Sequence, residues 1–254
     1  MVIDSHCHLD DDRFDIDREQ VLARARQQNI QQFIIPATTA ARWPKVKIIV
    51  DENEGVYASY GLHPMFMGEH QEGHLTQLDK WLHIQKPVAV GECGLDFFQS
   101  RQDEKQQLQL FTGQLDLAKN HQLPVIVHVR KALDQVISLL RKKPGLRGVI
   151  HSFSGSLQQA QQLEQLGFKL GIAATVSFER AKKLRGVVAQ ISEQMLLIES
   201  DAPDQPGQSH TGDRNEPAFI IDHLQTMCEL RNVSREHLSQ VTQQNCQQLF
   251  NLLI

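Results

Sequence analysis

The sequence predicts an α/β fold in one domain, a TIM or (β/α)8 barrel. Three observations predict it. Eight short apolar runs recur along the chain, helical apolar patterns separate most of them, and the length of 254 residues matches the roughly 250 typical of one such barrel. The runs are MVID (1–4), QFIIPA (32–37), VYASYGL (56–62), VAVGECG (88–94), VIVHV (125–129), GVIHSF (148–153), FKLGIA (168–173) and LLIES (196–200). Most are nearly continuous in apolar residues, as strands buried on both faces should be. Strand alternating with helix argues for a parallel sheet.

Between the runs, the helical patterns are specific. In the stretch 103–121, Leu108, Phe111, Leu115 and Ala118 build one apolar stripe, and Asp103 and Glu104 sit near its start, where the helix dipole favours negative charge. In 156–166, Leu157, Ala160, Leu163 and Leu166 recur every third residue, with Ser156 as N-cap and Gly167 as C-cap. The stretches 216–230 and 234–252 read as helices that finish an outer ring. The many glutamines (QQLQLF, QQAQQLEQ) are spread over these patterns and read as solvated surface. No linker or charge block marks a second domain, so residues 1–254 are expected to form one unit.

Composition narrows the class. A hydrophobic content of 41% supports a sizeable core, and a net charge of −4 excludes bulk attraction to nucleic acid or anionic lipid. No apolar run approaches the roughly 18 residues of a membrane span. The acidic start of the chain does not resemble a secretory signal, and Cys7, Cys93, Cys228 and Cys246 form no CxxC pair. A cytoplasmic monomer with reduced thiols and no membrane partner is the expectation.

Reactive groups of such barrels gather at the C-terminal ends of the strands. There the sequence places His6 and His8 after the first run, Glu92 in the fourth, His128 in the fifth, His151 in the sixth and Asp201 after the eighth. Residues two apart on a strand point the same way, so His6 and His8 can face one ion while Cys7 turns away, as Cys93 does beside Glu92. Six ligand-type residues at equivalent strand ends, in an apolar setting where unpaired polar groups are costly, point to a metal centre. Four imidazoles and two carboxylates exceed one tetrahedral zinc site and suit two ions about 3.5–4 Å apart. Glu92 is the candidate bridge, with His6, His8 and Asp201 on one ion and His128 and His151 on the other.

The motifs DSHCHLD, GLHP, GECGLDFF, VIVHVRKA, IHSFSGS, ESDAP and RNEP, in this order over nearly the whole chain, resemble those of the TatD family of metal-dependent hydrolases. The resemblance implies an amidohydrolase-like barrel with one or two divalent ions held by His6, His8, Glu92, His128, His151 and Asp201. It also implies hydrolysis of ester bonds: deoxyribonuclease action of the 3′-to-5′ exonuclease type on single-stranded DNA or DNA ends, or alternatively hydrolysis of a carboxylic ester or amide such as D-aminoacyl-tRNA or a small molecule. Phe97 and Phe98 stand where many relatives carry tyrosines.

Asp201 and Glu92 are the expected catalytic groups, with Asp201 placed to accept a proton from water. His63 in GLHP and Arg130, two residues beyond His128, are expected to hold substrate, the guanidinium suiting phosphate. Glu199 should point inward with Asp201 and support the centre. Asp10, Asp11 and Asp12 read as loop acids, with Asp10 able to orient a histidine. RAKKLR (180–185) reads as a helix face near the mouth, with a nucleic-acid contact as the sharper reading. Histidine and carboxylate ligands suit Zn, Mn or Fe and tolerate Mg.

Overall fold

The computed structural model describes residues 1–252. Eight parallel strands follow the chain order: β1 (Val2–Asp4), β2 (Ile30–Ala37), β3 (Val56–Tyr60), β4 (Ala89–Asp96), β5 (Val125–Arg130), β6 (Gly148–Ile150), β7 (Phe168–Ile172) and β8 (Leu196–Ile198). Helices α1 (Arg18–Gln27), α2 (Trp43–Glu52), α3 (His74–Gln85), α4 (Glu104–Asn120), α5 (Leu133–Arg141), α6 (Leu157–Gln165) and α7 (Lys182–Gln190) fall between successive strands, and α8 (Ile220–Arg231) and α9 (Arg235–Phe250) follow the last. The predicted TIM barrel is what the chain forms. Ser156 caps α6 in a full capping box with Gln159. No helix among the described residues is long and apolar enough to cross a membrane.

The seam between β8 and β1 is closed by hydrogen bonds just beyond the strands. Ser5 N–H donates to Ile198 O (3.1 Å), Asp201 N–H to His6 O (3.0 Å) and His8 N–H to Ala202 O (2.7 Å). Below them the buried Asp4 carboxylate accepts from His6 N (3.2 Å), Ser200 N (3.0 Å) and Ser200 Oγ (2.6 Å). Burial outweighs these bonds and pushes Asp4 up to about 7. The same bonds that close the barrel therefore set the positions of His6, His8 and Asp201.

The core has two parts. The larger lies between barrel and helices and contains Cys7 and Cys93, both turned away from the barrel axis as period-two geometry requires. The smaller fills the N-terminal end of the barrel with Ile3, Ile34, Ala89, Ile126, Val149 and Leu197, and α9 inserts Cys246, Leu249 and Phe250 against it. The last helix was expected to finish the outer ring. Instead it closes the bottom of the barrel, because its apolar residues meet the lowest interior layer. With that end filled, the accessible cavity lies at the C-terminal end.

Helix α8 is pinned to the site by His223, which is buried and donates from Nε2 to the Glu199 carbonyl (2.9 Å). Burial lowers His223 from its ordinary 6.5 to about 4, so it folds neutral. A histidine depressed this way binds fewer protons folded than unfolded. Its contribution is complete above pH 6.5 and is lost as pH falls through 4, by about 3 kcal/mol at the low end. In urea unfolding at pH 8, 6 and 5, His223→Gln should lie about 1 kcal/mol below the parent at pH 8. It should lose less stability than the parent between pH 8 and 5.

Candidate metal centre

Glu92 stands at the middle of the site, on β4 and almost fully buried. Its two oxygens face two different sets of imidazoles. Oε2 lies 3.2 Å from His6 Nε2 and 3.5 Å from His8 Nε2. Oε1 lies 3.1 Å from both His63 Nε2 and His128 Nδ1, and 3.8 Å from His151 Nε2. Asp201 faces both sets as well: its Oδ1 is 3.5 Å from His6 Nε2 and 3.7 Å from His8 Nε2, and its Oδ2 is 3.7 Å from His151 Nε2. All six expected ligand residues are thus in one cluster. Asp201 sits at a left-handed φ of 56°, a conformation an aspartate tolerates at a cost of about 1 kcal/mol. Its N–H on His6 O holds it there.

A seventh residue, His63, joins the cluster. His63 follows β3, N-caps the short helical turn Pro64–Glu69, and its Nδ1 accepts from Met65 N–H (3.0 Å). Burial, the largest influence, keeps His63 neutral with a value lowered to about 4. A neutral imidazole with Nδ1 accepting carries its proton on Nε2, so His63 donates to Glu92 Oε1. His63 still lines the cavity.

Two carboxylates orient imidazoles from behind or beside. Glu199 is fully buried, lies 2.8 Å from His151 Nδ1, and accepts from Ser152 N–H (2.6 Å), which leaves His151 Nε2 facing the centre. Room for it comes from Gly171, where an added Cβ would lie 2.1 Å from Glu199 Oε2. Asp96, which sequence reasoning missed, lies 2.9 Å from His128 Nε2 and leaves Nδ1 toward Glu92. The spacing of Glu92, Gly94 and Asp96 by two along β4 was the available signal. Asp10 is buried to 3% exposure in the cavity wall, not solvated as expected, while Asp11 and Asp12 pair with Arg13 and Arg42.

Helix α4 fixes two of these loops. Gln107 Oε1 accepts from Asp96 N–H (2.9 Å) and its Nε2 donates to Asp96 O (3.1 Å). Gln114 does the same to Leu62, at 2.7 and 3.0 Å. The helix glutamines were expected on the surface, but these two are buried. They share the stripe of Phe111 and Ala118 at i, i+4, i+7 and i+11, which is the pattern that marks them.

Charge decides what the cluster can hold. Burial opposes ionisation of Glu92, yet the surrounding histidines hold it well below the usual carboxylate range. Burial likewise disfavours the charged form of His151, but Asp201, Glu199 and Glu92 push it up to about 10. Burial and the charge of His151 lower His6. Among the described residues no Lys or Arg pairs with Glu92, Glu199 or Asp201, and neither Glu92 Oε2 nor His6 Nδ1 has a hydrogen-bond partner. Nitrogen and carboxylate donors converging without a fixed cation suit a divalent ion. The sets His6–His8–Glu92 and His63–Glu92–His128 each bring three candidate ligand atoms within 4.8 Å of one another. Both cysteines beside the cluster point away, Cys7 toward Ile34 O and Cys93 toward Ile126 O.

The cavity over the cluster measures about 720 Å³. Arg130 lies on its wall with Nη1 3.9 Å from Asp96 Oδ2 and its guanidinium 3.9 Å above the Phe98 ring. The RAKKLR stretch does not line it: Arg180 packs on Phe178 and Arg185 donates to Val176 O.

The sequence pattern of the family described as TatD related DNase matches residues 3–251. The uncharacterised metal-dependent hydrolase YjjV of Escherichia coli K12 is 39% identical over 98% of each chain. YabD of Bacillus subtilis, also an uncharacterised metal-dependent hydrolase, is 30% identical over 99% of this chain and the whole of its own. The crystal structure of E. coli YjjV, a TatD homologue, superposes with a TM-score of 0.95 at 38% identity, covering 99% of this chain and 98% of its own.

Two outcomes follow from the supporting contacts. Gly171→Ala, by displacing Glu199 from His151, should weaken Zn²⁺ or Mn²⁺ binding about 10–100-fold in calorimetric titration. Gln107→Ala strands the Asp96 N–H and C=O and should cost about 1–3 kcal/mol in denaturant unfolding, with weaker ion binding through the loosened Asp96–His128 pair.

Proposed function

The chain belongs to the TatD family of metal-dependent hydrolases, and from that premise we propose that it cleaves phosphodiester bonds of DNA, removing nucleotides from the 3′ end of single strands or frayed ends. The observation that carries the reading is the shared Glu92 carboxylate, one oxygen toward His6 and His8 and the other toward His128 and His151. It supports a centre in which His6, His8, Glu92, His128, His151 and Asp201 would hold one or two divalent ions, Glu92 lying between the two histidine sets. When bound, such ions supply a water acidic enough to act near neutral pH and offset charge at the scissile phosphate.

The protein's own groups carry the remaining roles. Asp201, at the cavity wall, accepts the proton of the attacking water. Glu199 and Asp96, beside His151 Nδ1 and His128 Nε2, leave the other ring nitrogen of each toward the centre, where a bound ion would take the place of its proton. Arg130, in the cavity wall, presents N–H donors to a phosphate oxygen, and His63, whose one N–H goes to Glu92, shapes the wall beside it. A cavity of about 720 Å³ accommodates a nucleotide. The net charge of −4 predicts modest affinity and favours ends over long duplex.

Incubation with end-labelled single-stranded DNA and Mg²⁺ or Mn²⁺ tests the reading. Shortening from the 3′ end is expected, abolished by EDTA and lowered in kcat about 10²–10⁴-fold by Asp201→Asn. Turnover of a carboxylic ester or amide panel, with DNA left intact, would replace it by ester or amide hydrolysis at the same centre.

A further inference from the structure

The rim of the cavity is asymmetric. Six large apolar side chains are exposed among the described residues: Ile16, Ile48, Met65, Phe66, Ile84 and Phe98. Phe66 lines the cavity over the histidine–carboxylate cluster, and Phe98 backs Arg130, which lines the same wall. Phe66 is 37% exposed in the cavity wall, edge-on to His63 at 5.7 Å. Phe98 is 55% exposed and carries the Arg130 guanidinium. Met65, 53% exposed, lies next to Phe66 in the same wall. These residues belong to the loops after β3 and β4 and the end of β5, which adjoin in the sheet. Across the cavity, the β6–β8 side presents Ser152, Ser154, Thr175, Gln205, Asp201 and Asp204, and its one phenylalanine, Phe153, is buried.

Exposed apolar side chains gathered at a cavity mark a binding surface, whereas single ones elsewhere do not. The charges exclude one kind of cover. Two arginines line the cavity, and Arg42 is held by Asp12 at 2.5 and 3.0 Å. That leaves Arg130, stacked on Phe98 and only loosely paired with Asp96 at 3.9 Å, as the lining arginine that can turn to a phosphate. The β3–β5 side of the wall is therefore poor in backbone-binding charge and carries Met65 and Phe66, with Phe98 behind Arg130.

We infer that Phe66 and the Phe98–Arg130 stack are platforms for unpaired nucleobases at a strand end, so that the enzyme grips its substrate by base stacking next to the reacting phosphate. The inference rests on the nuclease reading and deepens it: the substrate is a strand with free base faces, which a paired duplex end does not offer. Stacking on aromatic side chains tolerates every base, so cleavage is sequence-indifferent. With about one phosphate contact, the plot of log KM against log salt has a slope near 0.7, not several.

The test compares KM for a single-stranded oligonucleotide with KM for the same strand carrying abasic sites at its two 3′-terminal positions, using the Mn²⁺-loaded enzyme. Stacking predicts a KM at least about tenfold higher for the abasic strand. Phe66→Leu and Phe98→Leu keep apolar volume but remove the rings, and each should raise KM for the normal strand and draw the abasic-to-normal ratio toward one. Ile84→Ser, exposed away from the cavity, is the control and keeps the parent ratio. Equal KM for the two strands in the parent, or variants that shift both strands alike, overturns the stacking inference while the nuclease reading stands. If the parent shortens no oligonucleotide at all, the nuclease reading falls and the inference with it.

Discussion

A buried carboxylate with no fixed cation organises this molecule. Glu92 is enclosed by the barrel and stays ionised only because histidines surround it on both sides. Removing a charge from water costs several kcal/mol even after relaxation, so every neighbouring polar group is arranged around that charge. His63 donates to it, His6 and His8 present nitrogens to one oxygen, and His128 and His151 to the other. A protein built only for stability would fill this space with apolar side chains, as it does at the opposite end with Ile3, Ile126, Leu197 and the residues of α9.

The centre depends on two kinds of support from outside the barrel mouth. At the β1–β8 seam, the backbone bonds that close the barrel also space His6, His8 and Asp201. From the helix layer, Gln107 and Gln114 reach in from α4 to hold the backbone at Asp96 and Leu62, the neighbours of the His128 and His63 contacts. Side chains on helices thereby regulate loop geometry at the strand ends, and the site inherits the rigidity of the core.

The ligand set was legible because it follows backbone period and topology. His6 and His8 share a face through period two, and strand-end positions of Glu92, His128, His151 and Asp201 follow from the barrel itself. Other residues were legible in part. The stripe of α4 could be read, but it includes two glutamines that hydropathy assigns to water. Asp10 lay in a run of acids, and nothing local distinguishes it from Asp11 and Asp12, which pair with arginines at the rim.

By itself the sequence determined the architecture, the family motifs and the residues that meet at the centre, because strand period, helix period and chain order are properties of the chain. Only the tertiary structure decided what each group does there. It set His63 as a donor to Glu92, matched Asp96 with His128 and Glu199 with His151, and placed α9 under the barrel and Phe66 and Phe98 at the rim. Those outcomes depend on which lone pair faces which proton and which ring loses its water. Both are fixed by distances of a few ångströms between residues far apart in the chain.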